Sequence, residues 1–459
     1  MVNVKKLSDF DTFAEDIMKI PSHKEIWMLT YPIILSLFAE NVINITDTIF
    51  LARVGEAELG ASAIGGTFYV ILFIIGLAFS IGTQIIISRR LGENKPEQAG
   101  SVFELSLFFL VFAAALIFAL IYIFSPVIFR WIISSEDIYE KTLLYINYRI
   151  FGIFFTYIAC VFRAFYTGIF KTKYLAVNSV VLAGVNVVFA YLLIFGKFGF
   201  PEMGIAGAGL ATVIAEFVAV SYFVFITFRV VDRKKYRLFK RKTYDLRVIK
   251  NILDVSGFII LQHLISLMAW FSFFVVIEHR GQHELAITNI VRSVYVFLMI
   301  PGWAFGSACN TLVSNIIGQG NPGGVLQLIR KITFLCFVAI IALVIPAQIF
   351  HDTILSWFTA DKALINESLN SYYMVMLALV IFSLTMNYYN GLIGTGRTRA
   401  AMYIELLGVV FYLVTLYLIV NRFSLPLEFA WSCEIVYFTA MFLFSYIYLK
   451  KGSWKLRPI

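Results

Sequence analysis

Charge is scarce in this sequence. Only 14% of its 459 residues are Asp, Glu, Lys or Arg, where soluble domains carry about 25%. A large water-soluble helical protein needs polar helix faces, and too few charged residues exist here to make them. Runs such as Leu105–Phe124, Ile332–Ile345 and Tyr403–Val420 are almost uncharged. With their flanks they reach the roughly 20 residues a helix needs to cross a bilayer. They lack the polar–apolar alternation of a lipid-facing barrel strand, which excludes that architecture. Cysteine is also rare: Cys160, Cys309, Cys336 and Cys433 stand singly, without CxxC or Cys/His spacing, so neither a disulfide framework nor a zinc site is indicated. Catalytic motifs are missing too. No HExxH, GxSxG or pair of membrane aspartates is found, and His283-Glu284 lacks the second His of a metalloprotease helix. A polytopic membrane enzyme, the alternative from another class, is therefore not the reading, and no cofactor is expected. The N-terminus lacks the short basic-plus-apolar pattern of a cleaved leader, so the first helix is expected to remain in the mature protein.

What the sequence does contain is a copy of itself. Shifted by 226 residues, Gly55 meets Gly281, Glu58-Leu59 meets Glu284-Leu285, and Ser88, Gly92 and Pro96 meet Ser314, Gly318 and Pro322. Further on, Trp131 meets Trp357, Lys171-Thr172-Lys173 meets Arg397-Thr398-Arg399, and Tyr191-Leu192 meets Tyr417-Leu418. One ungapped register over such a distance marks two related halves, the usual plan of a membrane transporter.

Breaks at Gly, Pro and charge clusters predict six spans per half: 27–51, 60–88, 100–129, 140–168, 174–196 and 204–230, then 252–277, 285–316, 324–350, 366–393, 400–421 and 428–449. The predicted organisation is a segment over 1–26, a first lobe over 27–230, a basic linker over 231–250, a second lobe over 251–450 and a tail over 451–459. Phe10, Phe13, Ile17 and Ile20 could place one face of a short helix on the membrane surface.

Net charge is +9, and nine Lys/Arg lie between Arg233 and Lys250 in the linker. No nucleic-acid module surrounds them; they read as a topology determinant beside anionic lipid, with no nucleic acid as partner. Basic residues also follow spans 2, 4, 6 and 10 and close the chain, while Glu136-Asp137-Glu140 and the segment from Asp352 to Glu367 lie on the other side. The expectation is a multi-pass protein of the plasma (inner) membrane with both termini cytoplasmic. An even span count per half makes the repeat parallel. The fold class is thus an all-α membrane protein with twelve transmembrane helices in two parallel-related six-helix bundles.

A charge in the bilayer core is costly, so the few intramembrane polar residues are functional candidates. Asp47 lies in the outer half of span 1, with Glu40 seven residues earlier on the same helix face, about 10 Å away. Either could take up a proton or offer oxygens to a hard cation; Glu40 could equally be paired structurally. His263, with Gln262 on span 7, is a possible proton carrier or a satisfied hydrogen-bonding residue. Arg292 on span 8, with Asn289 one turn earlier, could receive an anionic group or pair with Glu405 or Glu434; Glu216 belongs to the same unassigned group. Gln84 and Asn310 stand 226 residues apart and, with Asn178, complete the expected substrate-contacting set of Gln84, Asn178, Gln262, His263, Asn289, Arg292 and Asn310. Many aromatic residues, 17% of the chain, could hold a lipophilic cation by apolar and cation–π contact.

Three stretches give the chain a family likeness: Asn44-Ile45-Thr46-Asp47-Thr48-Ile49-Phe50-Leu51-Ala52-Arg53-Val54-Gly55; Asn186-Val187-Val188 with Gly204-Ile205-Ala206-Gly207-Ala208-Gly209-Leu210-Ala211-Thr212; and Asn390-Gly391-Leu392-Ile393-Gly394-Thr395-Gly396-Arg397-Thr398. In these, and in its twelve spans, the chain resembles the multidrug and toxic compound extrusion (MATE) family of secondary transporters. The resemblance implies two six-helix bundles around a central cavity that opens alternately to each side. It implies export of small amphipathic, often cationic, compounds in exchange for H+ or Na+. Asp47 matches the acid of that family's first-lobe cation site, which could hold sodium, and Asn186 and Thr212 match further members; Glu40 has no such counterpart. The chain departs from the pattern at Ala190, where a second acid would stand, and Glu40 could compensate. The acids that another branch places on spans 7 and 10 are absent. A flippase for a lipid-linked precursor is the alternative within the superfamily, but it would need several cavity cations and only Arg292 is evident. The lipid bilayer and a small-molecule substrate are the expected partners, and a monomer is the expected state.

Overall fold

In a computed structural model of the chain, residues 20–240, 246–359 and 361–456 are described, and all their regular structure is helical. The first-half helices are α1 (His23–Val54), α2 (Glu56–Gly92), α3 (Pro96–Ile132), α4 (Glu136–Arg149), α5 (Gly152–Gly168), α6 (Lys173–Phe195) and α7 (Gly204–Val230). The second half carries α8 (Leu246–Glu278), α9 (Gln282–Gly318), α10 (Val325–Ile349), a short α11 (His351–Ser356), α12 (Lys362–Gly394), α13 (Thr398–Tyr417), a short α14 (Leu427–Ala430) and α15 (Ser432–Lys451). Among the described residues eleven helices are long and apolar enough to cross a membrane, and α4 with α5, bent by 51°, passes the same test of length and composition as a pair, giving twelve when the pair is counted as one span. All twelve predicted spans are present, mostly longer at their ends because polar first and last turns continue the helix beyond the apolar stretch.

The internal repeat reappears in the helix boundaries. Both ends of α2 lie 226 residues before those of α9, and the start of α4 and end of α5 lie 226 before the ends of α12. Residues bury their apolar stripes within two compact units. One comprises Tyr31–Ser256; the other comprises Gly257–Ile459 with the first turns of α1 up to Thr30. In the first unit α2 packs on α3, α4 and α5, and α7 on α4, α5 and α6. The α6–α7 hairpin is tight because Gly207 has no side chain: a Cβ there would lie 2.6 Å from the Leu193 carbonyl oxygen. In the second unit α12 packs on α9, α10 and α15, and α13 on α15, while Trp27 of α1 meets the Phe305 ring. Of the possible surface helix before Trp27, Phe10, Phe13 and Ile17 lie outside the described residues.

Outward faces are apolar. Phe108, Phe112, Leu116 and Ile123 form an exposed stripe along α3, which suits a helix solvated by lipid. The first part of the linker is folded rather than extended. Tyr236 and Leu238 are buried, the Phe239 amide donates to Glu104 of α3, and a Cβ on Gly100 would lie 2.0 Å from the Tyr236 carbonyl oxygen.

Candidate functional site

Two ties set the register of α1 against α6. The hydroxyls of Ser36 and Ser179 are hydrogen-bonded, and the Phe50 ring meets those of Tyr191 and Phe195. The helices therefore run in the same direction, and Asp47 comes level with the turn of α6 that carries Ala190 and Asn186. Antiparallel α7 is tied to α6 by Asn186, whose Nδ2 donates to Thr212 Oγ1 at 3.1 Å, and by Asn178, whose Nδ2 donates to the Ala219 carbonyl at 2.7 Å. Leu51, Ala190, Ala208 and Ala211 form a buried apolar plug one turn away. Below that plug, Asp47 Oδ1 and Asn186 Oδ1 are both buried, and neither has a hydrogen-bond partner among the described residues. Buried acceptor oxygens are ordinarily paired, so two unpaired ones at one level single this place out. Asp47, Asn186 and Thr212 thus gather at one level.

Glu40 does not join them. It is an ion-pair partner of Arg163 on α5 and accepts from Ser179 at 3.2 Å. Two turns from Asp47, it is held in a polar knot of its own.

Glu216 occupies a second network. Arg149, at the end of α4, clasps it with two N–H donors at 2.7 and 3.1 Å. Thr156 of α5 donates to the same carboxylate at 2.9 Å and shares a 2.8 Å hydrogen bond with Tyr69. The Arg149 guanidinium lies 3.6 Å over the Tyr69 ring. Arg149 and Glu216 are about nine-tenths buried at their side chains, at 9% and 11% exposure. The network lies where the fourth span bends, and it needs Gly152, whose absent Cβ would fall 2.2 Å from Arg149 Nη1 and 2.4 Å from Glu216 Oε2. Arg149 and Arg163 are missing from the candidates read from sequence. The expense of an intramembrane charge, which selects Arg292, is the signal that selects them too.

The second unit arranges its polar groups differently. Glu405 accepts from Ser266 and from Tyr437 at 2.5 Å. Glu434 lies 3.4 Å from the hydroxyls of both Tyr295 and Tyr412. Both are buried, and among the described residues neither has an ion-pair partner. Arg292 pairs with neither; its guanidinium lies 5.0 Å from the Phe274 centroid and 5.9 Å from that of Trp270. Gln262 accepts from Tyr389 at 3.0 Å. His263 contacts the Ile259 carbonyl through Nδ1 at 2.9 Å, and Asn289 donates to Leu285 of its own helix. Gln84 and Asn310 are buried at equivalent places: the absent Cβ atoms of Gly168 and Gly394, themselves 226 apart, face the carbonyls of Gln84 and Asn310 at 3.3 and 2.5 Å. Among the described residues, no three His, Cys, Asp or Glu gather closely enough to hold a metal ion.

A family model described as MatE matches residues 32–192 and again 259–418, one match per half. The chain is 25% identical over 397 residues to a probable multidrug resistance protein NorM of Pasteurella multocida, covering 83% of each chain. It is 23% identical over 446 residues to the NorM protein of Thermotoga maritima, covering 95% of this chain and 94% of that one. Among solved structures, a MOP superfamily transporter from Pyrococcus furiosus, described as having a binding pocket of reverse polarity, superposes with a TM-score of 0.86. The two share 18% identity over 93% of this chain and 96% of that one. The outward-facing conformation of a multidrug resistance MATE transporter matches with a TM-score of 0.85 and 18% identity, over 94% of this chain and 96% of that one.

Proposed function

This chain belongs to the MatE family, whose members are transporters and not enzymes, and from that premise we propose that it exports small amphipathic cations in exchange for protons. The observation that carries the reading is that the buried Oδ1 of Asp47 and that of Asn186, at one level, both lack a hydrogen-bond partner among the described residues. Protonation of Asp47 would give one of these oxygens a hydrogen to donate. A hard metal cation is the weaker occupant. One carboxylate, one amide and the Thr212 hydroxyl fall short of the about six oxygens such ions take, and Ala190 supplies none. Names of relatives such as the Pasteurella and Thermotoga multidrug resistance proteins support the substrate class.

On this reading the two units alternate between conformations open to either side. Proton binding at Asp47 and drug binding favour different ones, and only such differential affinity couples the two flows. Lys/Arg at the ends of spans 2, 4 and 6 and after α15 support cytoplasmic termini in the inner membrane. Purified protein in liposomes, loaded with a lipophilic cationic dye, provides the test. Dye movement driven by a pH gradient, indifferent to a sodium gradient and lost in Asp47→Asn supports the proposal; sodium-driven movement, or full activity of Asp47→Asn, refutes it.

A further inference from the structure

Arg149 is placed to act on Asp47. Tyr145, one turn before it on α4, packs against the apolar plug that contains Leu51, and Leu51 is one turn beyond Asp47. Gly209 of α7 meets the backbone of both Tyr145 and Arg149, at 3.1 and 3.4 Å from its ideal Cβ position. Arg149 thus comes to the level of Asp47, while it hydrogen-bonds to Glu216.

The internal repeat provides an independent comparison. Residues 226 positions beyond Asp47, Arg149, Thr156 and Glu216 are Phe273, Val375, Phe382 and Phe442. The helix equivalent to α4 and α5 is the unbroken α12. Acid, arginine, its counter-ion and the bend all occur in one half and are all missing from the other. A buried ion pair is often replaceable by apolar packing without loss of stability, and the second half has that apolar version. The fold of a half therefore does not require the polar version.

We propose that Arg149 is a tethered cation that exchanges partners between Glu216 and Asp47, and so is the positioning residue that makes Asp47 give up its proton. This inference rests on the proton-coupled reading above. When Asp47 carries a proton, Arg149 clasps Glu216, the arrangement seen here. When the O–H bond of Asp47 breaks and the proton leaves to water, the guanidinium swings toward the new carboxylate, and Glu216 keeps its hydrogen bond from Thr156. The next proton must displace Arg149. The guanidinium stands in for the cation that a site lacking the acid at position 190 would hold poorly. Rotation about the bend between α4 and α5 gives Arg149 the freedom to move, and Gly152 leaves it the room.

The titratable groups around Arg149 and Glu216 are Tyr69 from α2, Tyr145 from α4 and Cys160 from α5, while Arg163 of α5 is taken by Glu40. Glu40, on the same helix as Asp47, is neutralised by Arg163. None of the others is a second cation free to take the place of Arg149.

The test uses the whole protein in liposomes, with dye efflux followed against pH. Removing the competitor in Arg149→Met/Glu216→Gln lets protons hold Asp47 more tightly, so half-maximal efflux moves up by about one pH unit or more, and maximal efflux drops at least tenfold. Glu216→Gln alone frees Arg149 to stay on Asp47, so half-maximal efflux moves the opposite way, to lower pH. A structural role moves both profiles together or neither, and either result overturns the proposal in any variant that remains folded by its thermal melt. A wild-type measurement decides the matter if neither variant folds. The guanidinium infrared bands shift on acidification in the native protein and not in Asp47→Asn; no shift in the native protein overturns it. Proton-driven efflux surviving in Asp47→Asn refutes instead the proton-coupled reading, whereas a dead Asp47→Asn with unmoved profiles in the other two variants refutes only the partner exchange.

Discussion

The absent Cβ of Gly152 is what allows Arg149 to meet Glu216: at that position it would stand 2.2 Å from one and 2.4 Å from the other. A side chain at that position would push the guanidinium and the carboxylate apart. Gly152→Ala should therefore destabilise the protein by about 1–3 kcal/mol, the usual range for overpacking. Gly184→Ala in α6 is the control. Nothing lies within 4 Å of its ideal Cβ, so it should be neutral or stabilise slightly through helix propensity. Thermal unfolding in detergent distinguishes the two.

Glu40 and Arg163 form a partly exposed pair, with side chains 27% and 26% accessible. Screening makes such a pair modest in energy. Glu40→Gln should lower the unfolding temperature slightly while leaving the pH dependence of dye efflux unchanged. If Glu40→Gln instead abolished proton-driven efflux, Glu40 would belong to the coupling site and not to a structural knot.

Among the described residues Glu405 collects hydroxyl donors and no cation. Glu405→Leu removes the carboxylate acceptor of the Tyr437 hydroxyl, while Ser266 keeps the Gln262 carbonyl at 3.0 Å, and should cost about 1–3 kcal/mol for the one orphaned group. Glu405→Gln keeps an acceptor oxygen and should cost less. Equal melting temperatures for the two variants would contradict this account.

Outside the membrane, Asp232 accepts from the amides of Lys234 and Lys235 at 2.9 and 3.1 Å. Those hydrogen bonds hold its carboxyl below the usual carboxylate range. A depressed value means the turn is fully stabilised above the unfolded-state value of about 3.9 and loses that support as pH falls through the folded-state value. Hydrogen exchange at these two amides, corrected for intrinsic rates, should stay constant from neutral pH down to about 4 and accelerate below it. Asp232→Asn should abolish that pH-dependent step.

The twelve spans and the two related halves were legible from sequence because both rest on signals that survive without neighbours. Apolar length is a property of a segment, and the 226-residue register is a property of two segments read side by side. That register recurs unchanged in the boundaries of α2 and α9. Asp47 was marked in the sequence by the rarity of acids within spans, and Asn186 and Thr212 only by the family likeness; the structure brings the three to one level.

Pairing was not legible. Glu40 and Asp47 share one helix face by spacing, yet Arg163 pairs with the first, and Arg149 pairs with Glu216 of a different helix. Glu405 and Glu434 were both open in sequence as partners for Arg292, but it lies on aromatic rings while hydroxyl groups take both carboxylates.

Composition and periodicity by themselves determined that this chain is a two-fold repeat of membrane-crossing helices, because hydrocarbon admits only backbone that satisfies its own hydrogen bonds. Tertiary structure alone decided which charges meet. An ion pair depends on a few ångströms between distant helices, and here that distance was set by one glycine and one bend that no local pattern announces.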